Sequence, residues 1–381
     1  MAHILMLHGS SDLYGASKIF LNSITALREA GHQVTVVLSE DGPLAKELES
    51  SGIELHFQKM GILRRKYFNL PGLLNRAKTI WKAKKFLEKL ITEKQITHLY
   101  SNTSAVLVGA FVAKERGIRH IWHLHEILVG PQWFVSLMGM LINRYADLVV
   151  VVSQAVWDNW KSKVSESKML LLYNGIDYSP YLLQSTDIRN EIPKAEGKIL
   201  IGMIGRVNHW KGQPYFLEMA KELIHEYQNI HFLIVGDAYP GTEAFVTEML
   251  EKIKTLGLNE HITYLGYRED IPAILQSLDI FVLPSTLPDP LPTVILEAMA
   301  SSKPVIATQH GGACEMIIHN ETGYLIPWSN AKEGAQFIGK LIADKTKREE
   351  MGAKGKVRVL EKFSSDTYQT KFIKLFGDVK K

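Results

Sequence analysis

The sequence predicts an α/β chain made of two doubly wound, Rossmann-like domains in tandem. Two of its stretches open alike, and that duplication is the first observation behind the prediction. Residues 3–40, HILMLHGSSDLYGASKIFLNSITALREAGHQVTVVLSE, give a strand (Ile4 to Leu7), a glycine-containing loop and a helix-period segment (Lys18 to Ala30). Gly31 then serves as a stop before a second strand (Val34 to Leu38). Residues 198–237, KILIGMIGRVNHWKGQPYFLEMAKELIHEYQNIHFLIVGD, repeat the plan with a strand at Ile199 to Ile204, a helix at Pro214 to Glu226 and a strand at His231 to Val235. The second observation is that the strands that follow (HLYSN, HIWHLHE, DLVVVVS; ITYLG, IFVLPS, PVIAT) are near-continuous apolar runs. A parallel sheet covered on both faces requires such runs. The third is size: 381 residues at 46% hydrophobic composition can bury two ordinary cores.

Composition narrows the function classes. Charged residues at 22% exclude wholesale disorder. The opening MAHILMLHG lacks the basic start and cleavage site of a signal peptide. The stretch from Ile127 to Ile142 is too short and too interrupted to span a bilayer, so a cytoplasmic protein is expected. Cys314 is the only cysteine, which leaves no intrachain disulfide and no cysteine-based zinc site. Net charge is +4, yet Lys59 to Lys94 holds 11 basic against 2 acidic residues. Cations interleaved there with Leu, Ile, Trp and Phe read equally as an anionic membrane surface element or as an ordinary solvated helix face. No nucleic-acid motif accompanies them.

Three loops carry chemistry. His8 to Ser17, HGSSDLYGAS, joins a strand to a helix; Gly15 allows close backbone approach, and Asp12 and Tyr14 offer polar contacts. His123 to Glu126, HLHE, ends a strand with two imidazoles on one face. A third metal ligand at a recognisable spacing is missing, so a hydrogen-bonding histidine or a structural one is the alternative to metal. Gly205 to Gly212, GRVNHWKG, follows a strand and opens a helix with Pro214 in its first turn. A helix N-terminus beside a glycine loop is a ready anion site, and Arg206 and Lys211 add one forked and one point charge suited to a diphosphate. The competing reading is that both cations only solvate a loop. Neither a Walker loop nor GxGxxG after the first strand is present, which argues against a nicotinamide enzyme.

The most informative segment runs from Leu283 to Glu315, LPSTLPDPLPTVILEAMASSKPVIATQHGGACE. A proline-rich turn separates a strand from a helix, and a second strand follows, ending at Gly311-Gly312. Asp289 lies in the turn and Glu297 inside the helix, two carboxylates at a strand's carboxyl end, where hydroxyls of a polyhydroxylated ligand can be taken.

Together these motifs resemble the retaining family 4 (group 1) glycosyltransferases of the GT-B fold, two Rossmann-like domains facing across a cleft. The resemblance runs through nearly the whole chain, including NGID, the IVGD strand end, YLGY (Tyr264 to Tyr267) and NETGYLIP (Asn320 to Pro327). It implies an acceptor-binding domain over 1–175, a nucleotide-sugar-binding domain over 176–360, and a C-terminal helix over 361–381 packing back on the first. It implies that Arg206 and Lys211 hold and stabilise the leaving diphosphate, that Glu297 binds ribose, that Asp289 contacts the transferred sugar, and that His125 touches it near the reacting carbon. Gly15, Gly205, Gly236, Tyr267, Leu291, Pro292 and Thr293 complete the donor set by the same resemblance. Asp12, Tyr14, Asn102 and His123 are the expected acceptor contacts. No metal and no cofactor are expected.

Two departures stand out: Asp289 replaces the commoner Glu, and Tyr14-Gly15 replaces two glycines. The implied reaction moves a hexosyl or N-acetylhexosaminyl group from a UDP-linked donor to a saccharide or polyprenyl-linked acceptor for a bacterial surface glycan. The alternatives are an epimerase or phosphorylase of the same fold, or a catalytically silent binding subunit.

Overall fold

A computed structural model of the chain describes residues 1–13, 15–62, 67, 69–183 and 186–377. Two compact units divide it: Met1 to Ile176 together with the chain from Ser365 onward, and Asp177 to Ser364. Among the described residues, no helix is long and apolar enough to cross a membrane.

The first unit holds β1 (His3–His8), β2 (Gln33–Leu38), β3 (Glu54–Phe57), β4 (His98–Asn102), β5 (Arg119–Leu124), β6 (Leu148–Val151) and β7 (Met169–Leu171). They pair in parallel in the order β3-β2-β1-β4-β5-β6-β7. Its helices are α1 (Gly15–Glu29), α2 (Pro43–Ser50), α3 (Leu70–Lys94), α4 (Leu107–Arg116), α5 (Gln132–Tyr145) and α6 (Gln154–Trp160). α3 starts where the Asn69 side chain accepts from the Gly72 N–H at 2.8 Å, with Pro71 in the first turn, and ends at Gln95 in a left-handed conformation. Its buried stripe of Ala83, Leu87, Leu90 and Ile91 joins Leu5, Leu7, Leu99 and Val108 in one core.

The second unit opens with α7 (Ser179–Leu182) and holds β8 (Ile199–Ile204), β9 (Ile230–Val235), β10 (Ile262–Tyr264), β11 (Ile280–Leu283), β12 (Val305–Thr308) and β13 (Gly323–Ile326). These are parallel in the order β10-β9-β8-β11-β12-β13. Its other helices are α8 (Gln213–Ile224), α9 (Ala244–Thr255), α10 (Ile271–Ser277), α11 (Thr293–Ala300), α12 (Ala313–Met316), α13 (Ala331–Ala343) and α14 (Lys345–Lys362). The polar stretch before β8, which reads as a linker, buries Tyr181, Ile188, Ile192 and Ala195 in this unit.

The last helix, α15 (Ser365–Ile373), belongs to the first unit. Tyr368 hydrogen-bonds Ser23 at 2.7 Å, Phe372 packs edge-on to Tyr100, and Arg119 donates to the Leu375 carbonyl at 2.9 Å. Strand order reverses between β1 and β4 in the first unit and between β8 and β11 in the second. Ligands of open α/β sheets bind at such switch points, beyond the carboxyl ends of the strands.

Candidate active site

Two loops flank the switch point of the second unit. The β8–α8 loop carries Gly205, Arg206 and Lys211, and the β11–α11 turn carries Asp289 through Pro292. The Asn208 carboxamide oxygen accepts from the N–H groups of Trp210 at 3.1 Å and Lys211 at 2.9 Å, folding the first loop on itself. The loop is bound to its neighbour by the Thr286 N–H donating to the Trp210 carbonyl at 2.8 Å. Gly212 sits at φ 86° with the Pro284 carbonyl so close that a Cβ would meet it at 1.8 Å. Only glycine fits there, which explains the glycine that opens α8.

The cations of this loop have different settings. The Arg206 guanidinium stacks on the Tyr239 ring, 3.4 Å from its centroid. The Lys211 ammonium donates to the Asp289 carboxylate, and both side chains are largely buried, 15% and 11% exposed. Gly312 N–H donates to the Asp289 carbonyl at 2.8 Å, and Gly311, at φ 61°, passes so close that a Cβ would meet that carbonyl at 2.3 Å. Leu291 and Pro292 are buried behind the turn, and Thr293 is the first residue of α11, whose N-terminus has no side-chain cap. Glu297 is buried one turn further along. Tyr181 hydrogen-bonds its carboxylate, and burial together with that negative charge raises the Tyr181 phenol well above its usual range. Gly236 follows β9, its N–H donating to the Gly266 carbonyl at 2.7 Å, and Tyr267, next after Gly266, is an exposed ring.

At the switch point of the first unit lies a buried polar row. Asn102 ends β4, His8 ends β1, and His123 and His125 stand at the end of β5, their rings 4.1 Å apart. Burial pushes His8 down to about 4 and His123 to about 3 and holds His125 well below its ordinary range, so all three are neutral at pH 7. Their partners fix each tautomer. The Asn102 carboxamide oxygen, an acceptor only, takes His125 Nε2–H at 2.8 Å and the Tyr100 hydroxyl at 3.1 Å. His125 Nδ1 is therefore a lone pair. Tyr100, its proton committed, accepts from His123 Nδ1–H at 2.6 Å, which leaves His123 Nε2 buried with no hydrogen-bond partner. The Asn102 amide donates to His8 Nδ1 at 2.9 Å; His8 Nε2–H donates to Ser17 at 3.0 Å, and Ser17 to Asp12 at 3.1 Å. Asn102 and His123, expected to touch an acceptor, are fully buried; Asn102 spends its side-chain bonds inside this row, and His123 bonds there through Nδ1 alone. Asn102 thereby holds the His125 ring in place. Gly15 begins α1 beside Asp12, and Tyr14 lies outside the described residues.

Two family models divide the chain: Glycosyltransferase Family 4 matches residues 14–179 and Glycosyl transferases group 1 matches residues 184–358. The chain is a group 1 glycosyltransferase of the GT-B fold. The capsular polysaccharide biosynthesis glycosyltransferase CapM of Staphylococcus aureus is 26% identical over 360 residues, covering 90% of this chain and 89% of its own. The spore coat protein SA of Bacillus subtilis strain 168 is 24% identical over 363 residues, covering 89% and 88%. Among solved structures, Anabaena HepE in complex with UDP and glucose superposes with a TM-score of 0.85 at 26% identity, covering 98% of this chain and 99% of that one.

Several residues around the glycosyltransferase's two switch points escaped sequence reasoning. Tyr239 and Tyr181 sit far along the chain from the Arg206 and Glu297 they touch, and a tyrosine has no spacing signal. Asn208 was visible inside GRVNHWKG as a turn-forming residue. His310 donates from Nε2 to the Ser285 carbonyl at 2.8 Å and is lowered by burial. Its Nδ1 and the Ser285 hydroxyl are buried with no hydrogen-bond partner, two polar atoms beside the β11–α11 turn. Among the described residues, no three His, Cys, Asp or Glu side chains come together in a group able to hold a metal ion.

Proposed function

We propose that the enzyme transfers a hexosyl or N-acetylhexosaminyl group, with retention and without a metal, from a UDP-linked donor to a saccharide or polyprenyl-linked acceptor in making a bacterial surface glycan. The observation that carries this reading is the Lys211–Asp289 pair, which ties the cationic β8–α8 loop to the carboxylate turn at the switch point of the second unit. In this reading Arg206 and Lys211 take the diphosphate as negative charge builds on the leaving group, with the Gly205 loop and the start of α11 (Leu291, Pro292, Thr293) adding backbone dipoles. Lys211 serves both phosphate and Asp289, so Asp289 is fixed in place to accept hydroxyls of the transferred sugar. Glu297, braced by Tyr181, accepts the ribose hydroxyls, and Gly236 and Tyr267 border the base. His125, neutral with its Nδ1 lone pair available, accepts a hydrogen bond from a sugar hydroxyl; Gly15 lets the backbone of its loop approach the phosphates, and Asp12 and Tyr14 border the acceptor, with Asn102 and His123 behind.

HepE is described with UDP, with UDP-glucose, and with UDP and glucose, and CapM's name places it in capsule synthesis. The first supports a UDP donor and the second a surface glycan. The basic stretch from Lys59 to Lys94, of which Arg64, Arg65, Lys66 and Phe68 lie outside the described residues, attaches the enzyme peripherally to an anionic membrane at the cytoplasmic face. The test is the anomeric configuration of the product. An α-configured UDP-sugar should give an α-linked product, read by the proton coupling at the anomeric carbon; a β-linked product would overturn retention.

A further inference from the structure

The outward sides of α3 and α5 differ from an ordinary solvated surface. On α5, Trp133, Leu137 and Met140 recur at helical spacing and are 59%, 39% and 58% exposed, while Val135, Met138 and Ile142 face inward. Val129, just before the helix, is 75% exposed. On α3, Leu70, Leu74 and Trp81 are exposed, and Lys78, Lys82 and Lys85 follow beside them on the side away from Ala83 and Leu87. At about 100° per residue this whole set projects within an arc of about 120°, with Glu88 at its edge in line with Leu70. Glu88 lies beside Lys84, Lys85 and Arg116, with the Lys85 ammonium 3.8 Å from its carboxylate, and its side chain is only 15% exposed.

Topology puts the two helices on one face of the first unit. α3, α4 and α5 each cross in the same direction along the sheet, from β3 to β4, β4 to β5 and β5 to β6, so right-handed crossovers place all three together. A Lys84–Glu115 ion pair at 2.6 Å joins α3 to α4, and Phe111 packs edge-on to Tyr145 between α4 and α5. Both α3 and α5 begin at the carboxyl end of the sheet. Leu70, Leu74, Val129 and Trp133 therefore cluster at the end that carries His8, Asn102, His123 and His125.

We infer that this face rests on an anionic lipid bilayer, with Trp133, Leu137 and Met140 of α5 buried in the interface and Lys78, Lys82 and Lys85 of α3 set against lipid phosphates. A bilayer suits it because apolar rings and chains sit directly beside exposed lysines, and α5, at 14 residues, is long enough to lie in an interface and too short to cross one. The inference rests on the peripheral-membrane reading and goes beyond it, since it assigns the insertion to α5 and gives the acceptor site access to a lipid-linked substrate whose lipid stays in the membrane.

The experiment uses the full chain with Cys314→Ser and a single new cysteine carrying an environment-sensitive fluorophore, at Leu137→Cys or, as a control in the other unit, at Lys332→Cys. It is mixed with vesicles of phosphatidylcholine with or without phosphatidylglycerol. The position-137 probe should brighten and shift to the blue with the anionic vesicles, and the position-332 probe should not change. Trp133→Ser with Met140→Ser should weaken flotation with the vesicles at least tenfold, while UDP affinity stays unchanged. Flotation with a water-exposed probe at 137 would overturn the α5 assignment and leave the electrostatic reading of α3 standing. Absence of flotation at low salt would overturn both. Self-association or a protein partner that protects position 137 without lipid would overturn the bilayer as occupant.

Discussion

The Lys211 ammonium and the Asp289 carboxylate, 78 residues apart in sequence, form a largely buried ion pair that joins the two loops at the switch point of the second unit. The pair links the predicted diphosphate group to the predicted sugar group. Removing either partner leaves a poorly solvated charge behind. Lys211→Ala should destabilise the second unit by about 1–3 kcal/mol, seen as a lower denaturation midpoint, and should lower turnover by two or more orders of magnitude. Adding Asp289→Asn should restore much of the stability and none of the turnover. An unchanged midpoint in Lys211→Ala would mean that the pair has no structural role.

Asp289 itself separates sugar binding from nucleotide binding. Asp289→Ala should reduce transfer far more than UDP affinity, and Asp289→Glu should keep activity or shift donor preference. Equal loss of both on Asp289→Ala would assign it to the diphosphate instead, acting through Lys211.

Glu297 and Tyr181 act together. Glu297→Gln should weaken UDP binding by about 1.5–3 kcal/mol, the scale of a charge-assisted hydrogen bond. Tyr181→Phe, which loses only a brace, should cost about 0.5–1.5 kcal/mol. Calorimetric titration reads both; a larger effect from Tyr181 than from Glu297 would reverse their roles.

The histidine row should make the first unit sensitive to acid. An imidazole whose pKa is lower folded than unfolded binds fewer protons in the native state between the two values. Stability is then lost as pH falls from 6.5 toward about 4 for His8 and about 3 for His123. Each contributes up to about 1.4 kcal/mol per pH unit in its window. Urea denaturation of the first unit at pH 7.5 and pH 5 should show that fall, and equal midpoints would contradict it. Asn102→Asp places a carboxylate between His8 and His125, so both should hold protons at higher pH. Nitrogen-15 shifts of the imidazoles would report this, and unchanged neutral tautomers would refute the assigned row.

Much of the fold was legible because a covered parallel sheet writes itself as apolar runs spaced by helical segments, as in Ile199 to Ile204 and Ile280 to Leu283. The glycine at 212 and the Asp289–Glu297 spacing were equally readable, since backbone approach and a loop-to-helix step are local. What stayed hidden was non-local or dependent on orientation. Nothing in the sequence pairs Tyr239 with Arg206 or Asn102 with two histidines. The stretch from Ile127 to Ile142 reads as too short to span a bilayer, but only the structure separates Trp133, Leu137 and Met140 on the outside from Val135, Met138 and Ile142 within.

The second unit is proposed to grip a nucleoside diphosphate through fixed cations rather than a metal. Calorimetric titration of UDP in excess EDTA, comparing the native enzyme with Arg206→Ala plus Lys211→Ala, tests it most directly. The native enzyme should bind UDP despite the chelator, and the double variant should lose at least a hundredfold in affinity. Native binding that vanishes in EDTA, or a double variant that binds UDP as tightly as the native enzyme, would contradict it.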